Sequence, residues 1–415
     1  MNKFQKINHF AGSYHLGRKD LMWKNISKLK RQFGEDYNIC PKTYIFPHDY
    51  KRFVCETKSK EVNKSYYIMK PVSSSWGHGI KVINTSTGMP KNKKNYLVSK
   101  YLSKPHLIKG FKYDMRIYVL VSSYDPLIIY MFKDGLVRFS TEKYTLKIKH
   151  LKKRYIHLTN YSVNKKAEKY NKNKNTDPNE VDPWDDDQVL SKWSYVQLQN
   201  KIQELGHDWK QVEGDIKDVV IKTIIAVEPQ VVHQTNMYAK GKNCCFEIYG
   251  FDILLDHKLK PWLLEVNTSP SLSSSSPFDK NIKTRVLWDA LTIIGIKPYD
   301  KAKFKQEQEK IASIRRMQGL WKSSKSSYGN FYDSKSSSKY NLENYSSDML
   351  NEFIEQQHRL GGFELIFPVD YNIQLLKSQN NYDKHRIYRT VHYYSQFFER
   401  ERPNNEIIKR YISFN

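Results

Sequence analysis

The sequence predicts an α+β chain, and three stretches carry that prediction. Residues 246–272 read as two strands, Phe246–Leu255 and Pro261–Val266, joined by a polar turn at Asp256–Lys260; two apolar runs split in this way make a hairpin. Residues 110–139 read as a β-meander: Gly110–Tyr124, Leu127–Phe132 and Leu136–Phe139, with turns at Asp125-Pro126 and Lys133-Asp134-Gly135. Between these sheet segments lie helices, over Asp187–Leu205 and over Gly214–Val227, where Val219, Val220, Ile224 and Val227 form one apolar stripe suited to a core.

The remaining elements follow in order. After a polar, irregular start over residues 1–19, Asp20 can cap a helix running to Phe33, with Gly34 past its end. Cys40-Pro41 to Phe46-Pro47 reads as extended, and a helix is expected near His48–Thr57. Tyr66–Lys70 and Ile80–Ile83 are short strands around a Gly- and Ser-rich turn, and Tyr96–Leu102 is another. Residues 164–187 turn from basic to acidic and read as a loop, with Trp184 as its candidate anchor. Asn281–Ile294 is an amphipathic helix stopped by Gly295. Lys301–Met317 is a charged helix, residues 321–347 a Ser-rich linker, and Asp348–Phe367 and Tyr382–Arg402 further helices.

Composition narrows the setting. Lys and Arg outnumber Asp and Glu by 69 to 43, a net +26 that calls for a polyanionic partner. The four cysteines show no CxxC spacing, so a zinc site or a disulfide framework is not expected. No apolar run approaches the roughly 20 residues that span a bilayer, and the first twenty residues lack the apolar core of a signal peptide. The expectation is a cytosolic protein without a membrane partner. No nucleic-acid motif accompanies the charge.

Candidate chemistry concentrates in the hairpin. Glu265 and Asn267 are two apart and share a strand face, and if Asp256 pairs with Pro261, Asp252 falls opposite Glu265. Taken singly, each suits the solvated face of an ordinary hairpin. Together they are two carboxylates and an amide oxygen, a hard-oxygen set suited to Mg²⁺ held with nucleotide phosphates. Lys70 runs into PVSSSWGHGI, whose backbone N–H groups can cradle phosphate, although a plain glycine turn serves the sequence as well. Lys112, Asp114 and Arg116 are spaced by two and share a face. Arg138 stands in an otherwise apolar strand, where a lone Arg is usually an exposed residue. Thr159, Asn160 and Ser162 are hydrogen-bonding groups rather than core builders.

Lys70, Gly77-His78-Gly79-Ile80, GFKYDMRIYVLVSSYDPL, HLTNYSVNKK and GFDILLDHKLKPWLLEVNTSPSL together resemble the tubulin-tyrosine-ligase-like family, in particular its tubulin polyglutamylase branch, over roughly residues 4–297. The resemblance implies an ATP-grasp fold with MgATP between two α+β lobes. A carboxylate is phosphorylated and then attacked by an amine. It also implies a partial N-terminal lobe over residues 1–60, a central lobe over 61–140, a metal-bearing lobe over 141–297 and a basic helical extension over 298–415.

By resemblance, Lys70 meets the ATP phosphates, with Trp76 and Gly77 in the loop over them. Ser99, Lys100, Tyr101 and Leu102 lie where the family holds adenine. Lys112, Tyr113 and Asp114 line the nucleotide pocket, and Thr159 and Asn160 contact ATP. Asp252, Glu265 and Asn267 match the magnesium ligands, and Asn267 also reaches the nucleotide. Arg116 faces the acyl-phosphate; Arg138, Ser162 and Lys192 hold free L-glutamate. Trp76 replaces an arginine that meets the acceptor in initiating polyglutamylases, which favours chain elongation. Ser99 stands for a frequent glutamine.

The partners implied are the acidic C-terminal tails of tubulin and free glutamate. The protein is expected as a monomer on the cytoskeleton, in cilium, axoneme or basal body. A glycine- or tyrosine-adding ligase and a catalytically silent microtubule-binding protein are the alternatives. An anionic side chain needs Arg138 and Lys192, whereas glycine does not.

Overall fold

The structure is a computed structural model describing residues 5–58, 65–72, 79–85, 95–165, 167, 191–239, 244–296, 300–317 and 352–368. Trp76, Gly77, Trp184, the linker over 321–347 and the helix expected over 382–402 lie outside the described residues.

The strands are β1 (Ile7–Asn8), β2 (Thr43–Ile45), β3 (Tyr66–Pro71), β4 (Lys81–Asn84), β5 (Tyr96–Lys100), β6 (Leu107–Ile108), β7 (Phe111–Tyr124), β8 (Leu127–Phe139), β9 (Lys192–Ser194), β10 (Cys245–Leu255), β11 (Pro261–Asn267) and β12 (Phe363–Phe367). The helices are α1 (Tyr14–Gly17), α2 (Lys19–Phe33), α3 (Tyr50–Lys58), α4 (Arg154–His157), α5 (Tyr161–Asn164), α6 (Tyr195–Glu204), α7 (Trp209–Ile225), α8 (Glu228–Tyr238), α9 (Pro277–Ile294) and α10 (Lys301–Met317). Two sheets organise them. A small one has the order β2-β5-β3-β4; a large mixed one runs β1-β10-β7-β8-β12, with β11 on β10, β6 on β7 and β9 on β8. This is the mixed α+β architecture that the alternating runs predict.

The alternation of β7, β8 and β10 assigns the two faces of the large sheet. Met115, Ile117, Val119, Ile129, Phe251 and Ile253 pack with Leu198, Ile216, Val220, Ile224 and Val231 from α6, α7 and α8. The opposite face gives Tyr118, Leu120, Tyr130 and Ile248 to Phe278, Ile282, Val286 and Ala290 of α9. Along β7 that second face continues through Arg116, Asp114 and Lys112, so one sheet face is a core at one end and a charged floor at the other. The small sheet has its own core, in which Tyr44, Phe46, Phe53, Tyr67 and Val98 meet.

Several expectations change. Lys133-Asp134-Gly135 is not a turn. β8 runs through it as one strand, and the β7–β8 register jumps from Ile117↔Gly135 to Val119↔Met131. Asp134 stabilises this bulge, accepting from the N–H of Gly135 at 2.7 Å and of Tyr195 at 3.0 Å. Residues 192–194, expected within a helix, form β9, paired with β8 at Arg138↔Lys192. The helix starts afterwards at a capping box between Ser194 and Gln197. α7 begins before Gly214, capped by Asp208 on the N–H of Lys210 at 2.9 Å. Asp20 lies inside the first turn of α2 and does not cap it.

The stretch expected as a helix over 348–367 is helical at 352–357 and then becomes β12, antiparallel to β8. Its Phe363 packs edge-on against Phe132, with ring centroids 5.0 Å apart. The irregular start contributes β1, parallel to β10.

Candidate active site

The β10–β11 hairpin sets the first pair of groups. Its turn closes with Leu255 opposite Pro261, one residue away from the expected pairing. A bulge between Asp252 and Ile253 on the register leaves Leu264 without a partner and brings Asp252 opposite Glu265 and Gly250 opposite Asn267. The carboxylates therefore face each other as expected, by a route that the turn alone does not supply.

Across the same face, Asp252 is the partner of Arg116, Asp114 of Arg138, and Arg138 of Lys192. The side chains interlock accordingly. Arg116 donates to Asp252 through Nε at 2.5 Å and Nη2 at 3.1 Å. Arg138 donates from Nε to Asp114 at 2.9 Å, makes a second bond to the same carboxylate through Nη2, and reaches Asp252 Oδ2 at 3.0 Å. These are fork-shaped, charge-assisted pairs in a buried setting. Burial pushes the Asp252 carboxyl up, but Arg116 and Arg138 outweigh it and hold the group well below the usual carboxylate range. The two guanidiniums balance the two carboxylates of Asp114 and Asp252.

A cavity opens between this floor and the small sheet. Lys70, Ser99, Lys100, Tyr101, Leu102, Lys112, Asp114, Thr159, Asn160, Asp252 and Glu265 all line it, so eleven of the sequence-predicted residues converge there. Ile68, Leu97 and Leu254 give it apolar wall, the mixture a flat base attached to a charged tail would meet. Lys112 is buried; it donates to Tyr101 Oη at 3.2 Å and to the His157 carbonyl at 3.0 Å. Burial lowers its pKa to about 8. Burial likewise lowers Lys70, against the opposing pull of Glu265. The His157 imidazole, desolvated and near Lys112, falls to about 4 and is neutral at physiological pH.

Other predicted residues stand apart from the cavity wall. Tyr113 alternates to the opposite face of β7, where its ring joins the core and its hydroxyl lies 2.8 Å from His106 Nδ1. Its side chain does not line the cavity. Arg116, Arg138 and Lys192 continue the floor towards α9. Ser162 lies on α5. Asn267 donates from Nδ2 to the Gly250 carbonyl at 3.2 Å.

The donor chemistry of Asp252, Glu265 and Asn267, two carboxylates and an amide on adjacent strands, fits a hard divalent ion. In this structure Asp252 is engaged by Arg116 and Arg138, and Glu265 by Lys19 at 3.0 Å. No cluster of three or more His, Cys, Asp or Glu that could hold a metal is found among the described residues.

Sequence reasoning missed Lys19, His157 and Asp279. Lys19 and His157 line the cavity, and Asp279 accepts from Lys192 at 2.5 Å. His157 opens the HLTNYSVNKK run, two residues before Thr159, but nothing local shows that it reaches the cavity; Lys19 and Asp279 come from helices outside the quoted runs. α9 begins at Pro277 with Ser276 as its cap, four residues before the start expected at Asn281.

Chemically, such a cleft receives an anion between cationic groups and keeps one end apolar. That places the protein with anion-handling clefts formed between two sheets. The chain belongs to the tubulin-tyrosine ligase family, which matches residues 1–305. It is 44% identical to tubulin monoglutamylase TTLL4 of Homo sapiens over 71% of this chain and 24% of that protein. It is 40% identical to tubulin polyglutamylase TTLL5 of Homo sapiens over 73% of this chain and 23% of that protein. Tubulin polyglutamylase TTLL7 of Mus musculus is 39% identical over 77% of this chain and 34% of its own length. The chain thus spans about a quarter to a third of these relatives. No helix among the described residues is long and apolar enough to cross a membrane.

Proposed function

We propose that the chain is an ATP-dependent ligase of ATP-grasp type that joins free L-glutamate to glutamate side chains in the acidic C-terminal tails of tubulin. The observation that carries this reading is the charged floor, Glu265–Asp252–Arg116 and Asp114–Arg138–Lys192, running out of a half-apolar cavity that also holds Lys70 and Lys112. The tubulin mono- and polyglutamylases it resembles support the choice of substrate.

The reaction phosphorylates an acceptor side-chain carboxylate, and an amine then displaces phosphate from the acyl carbon, forming an isopeptide bond with loss of a proton. Most of the work is charge stabilisation and positioning. Lys70 and Lys112 supply fixed positive charge for phosphate oxygens. Ser99 to Leu102 hold the base, with Thr159 and Asn160 as polar contacts. Asp252, Glu265 and Asn267 would hold Mg²⁺, which when bound spreads phosphate charge. Arg116 faces the acyl-phosphate region, and Arg138, Ser162 and Lys192 orient the incoming amino acid. The cytoskeleton is the expected location, with cilium, axoneme or basal body as specific places, and residues 298–415 extend the microtubule contact.

A second reading draws on one observation: Arg138 is compensated by Asp114 and Asp252, and Lys192 by Asp279. A pocket so balanced also accommodates glycine, which brings no side-chain anion. One assay separates the readings. Purified full chain is incubated with microtubules, MgATP and labelled glutamate, glycine or tyrosine, and products are mapped by mass spectrometry. Glutamate on tubulin tails supports the proposal; glycine alone moves the assignment to a glycylase; no label with intact microtubule binding points to a silent binder. Glu265→Gln should abolish ATP turnover yet leave microtubule co-sedimentation intact, and normal turnover would refute the metal assignment.

A further inference from the structure

Beyond the cavity, the floor ends at Lys192, and what surrounds that lysine is unusual. Its Nζ donates to Asp279 Oδ2 at 2.5 Å and Ser275 Oγ at 3.2 Å, and lies 4.4 Å from the centroid of the Tyr161 ring. Asp279 is 1% exposed. Its Oδ2 also accepts from the Ser275 hydroxyl at 2.7 Å and the Ser275 N–H at 3.3 Å, whereas Oδ1 is buried with no hydrogen-bond partner among the described residues.

An acidic residue at this third position of a helix is common, because it complements the helix dipole. That ordinary role needs neither complete burial nor a lysine from another element. Here the N–H of Asp279 donates to the cap, Ser276 Oγ, at 3.2 Å, and its carboxylate both accepts the Ser275 N–H at the helix start and reaches Lys192 on β9. Burial pushes this carboxyl up, but the charge and hydrogen bond of Lys192 outweigh burial and hold it down.

A lysine carries about 2 kcal/mol of rotamer entropy on its flexible stem. Left alone, Lys192 would sample many positions. The carboxylate, the serine hydroxyl and the aromatic face together confine its ammonium to one. The same carboxylate grips Ser275, near the end of the loop that begins just after Asn267. Lys283, one turn further along α9, donates to the Ser273 carbonyl at 2.6 Å and secures the middle of that loop. One buried side chain therefore connects the far end of the floor to the strand that carries Glu265 and Asn267.

We infer that Asp279 is a positioning residue for the amino-acid substrate: with Ser275 it fixes the Lys192 ammonium at the edge of the floor and ties the 268–276 loop to it. This rests on the proposed ligase reading for its substrate, and on geometry alone for its effect on Lys192. Asp279→Asn keeps the shape and removes the charge. In the full chain this variant should raise the apparent KM for glutamate by roughly tenfold while the KM for ATP moves less than about twofold. Ser275→Ala, which leaves the ion pair, should move the glutamate KM in the same direction by less, and it stands in if Asp279→Asn does not fold by thermal unfolding. An equal rise in both KM values would overturn the inference, because a simple helix-start residue disturbs both substrates.

A second measurement needs no activity. Acylation of Lys192 by an amine-reactive ester, read by peptide mass spectrometry, should increase severalfold in Asp279→Asn. Unchanged labelling would overturn the inference. If wild-type protein incorporates no glutamate, the functional reading fails while the labelling result still decides the role of Asp279.

Discussion

Arg138 illustrates how much a side chain's partners alter its meaning. As a lone cation it reads as a clamp for an anion, yet it is locked between Asp114 and Asp252. Removing it leaves the buried Asp114 without its cation, while Asp252 keeps Arg116, and breaking a buried pair in this way costs about 3–5 kcal/mol. Arg138→Ala is therefore expected to lose stability of that order in urea titration, with any kinetic effect entangled in it. Arg138→Lys retains the charge, loses the fork, and should raise the KM for glutamate more than that for ATP. A stability loss in Arg138→Ala below about 1 kcal/mol would mean the cluster is not interlocked in solution.

Lys112 supplies a pH dependence. Its pKa in the folded protein is about 8 because burial disfavours the charged form. An unfolded lysine titrates near about 10.4. Between these values the unfolded chain binds more protons, so this residue's contribution makes folding stability rise with pH from about 8 to about 10, and its penalty is complete below 8. Urea midpoints across that window should show the rise in wild type and a smaller one in Lys112→Met. Identical slopes would show that Lys112 is solvated.

Among the elements, β12 offers a direct test of stability. It comes from beyond the matched residues 1–305 and completes the edge of β8. Phe363 is fully buried against Phe132, and replacing a buried Phe by Ala costs about 3–5 kcal/mol. Phe363→Ala should lower the thermal midpoint accordingly, and a change within error would mean that β12 is docked only loosely.

The same element shows where sequence reading stops. The β10–β11 hairpin and the shared face of Lys112, Asp114 and Arg116 were legible because alternation is local. The bulge at Asp134, the strand at Lys192–Ser194 and β12 were not, because each exists through pairing with β8, whose register no local pattern states. The site was legible in the same proportion. Which residues carry charge could be read, but not that Arg138 would meet Asp114, or Lys192 meet Asp279.

For the whole molecule, the net charge of +26 is the dominant long-range property. Inside the cleft, the charges around Asp114, Arg116, Arg138 and Asp252 cancel. Attraction to a polyanion therefore belongs to the exterior and should be screened. Co-sedimentation with microtubules should weaken markedly between about 50 and 200 mM salt, where the Debye length falls through about 10 Å. Salt-insensitive binding would assign the contact to apolar surface instead.

The unpaired Leu264 has a practical implication for anyone who engineers this chain. Slack in the hairpin is absorbed there, while Asp252 is anchored against Arg116 on the neighbouring strand, so the facing carboxylates do not depend on the register of the turn itself. The tip is not a free handle for a tag or crosslinker, because the His257 N–H donates to the Lys104 carbonyl at 2.9 Å and Leu259 is buried in the core.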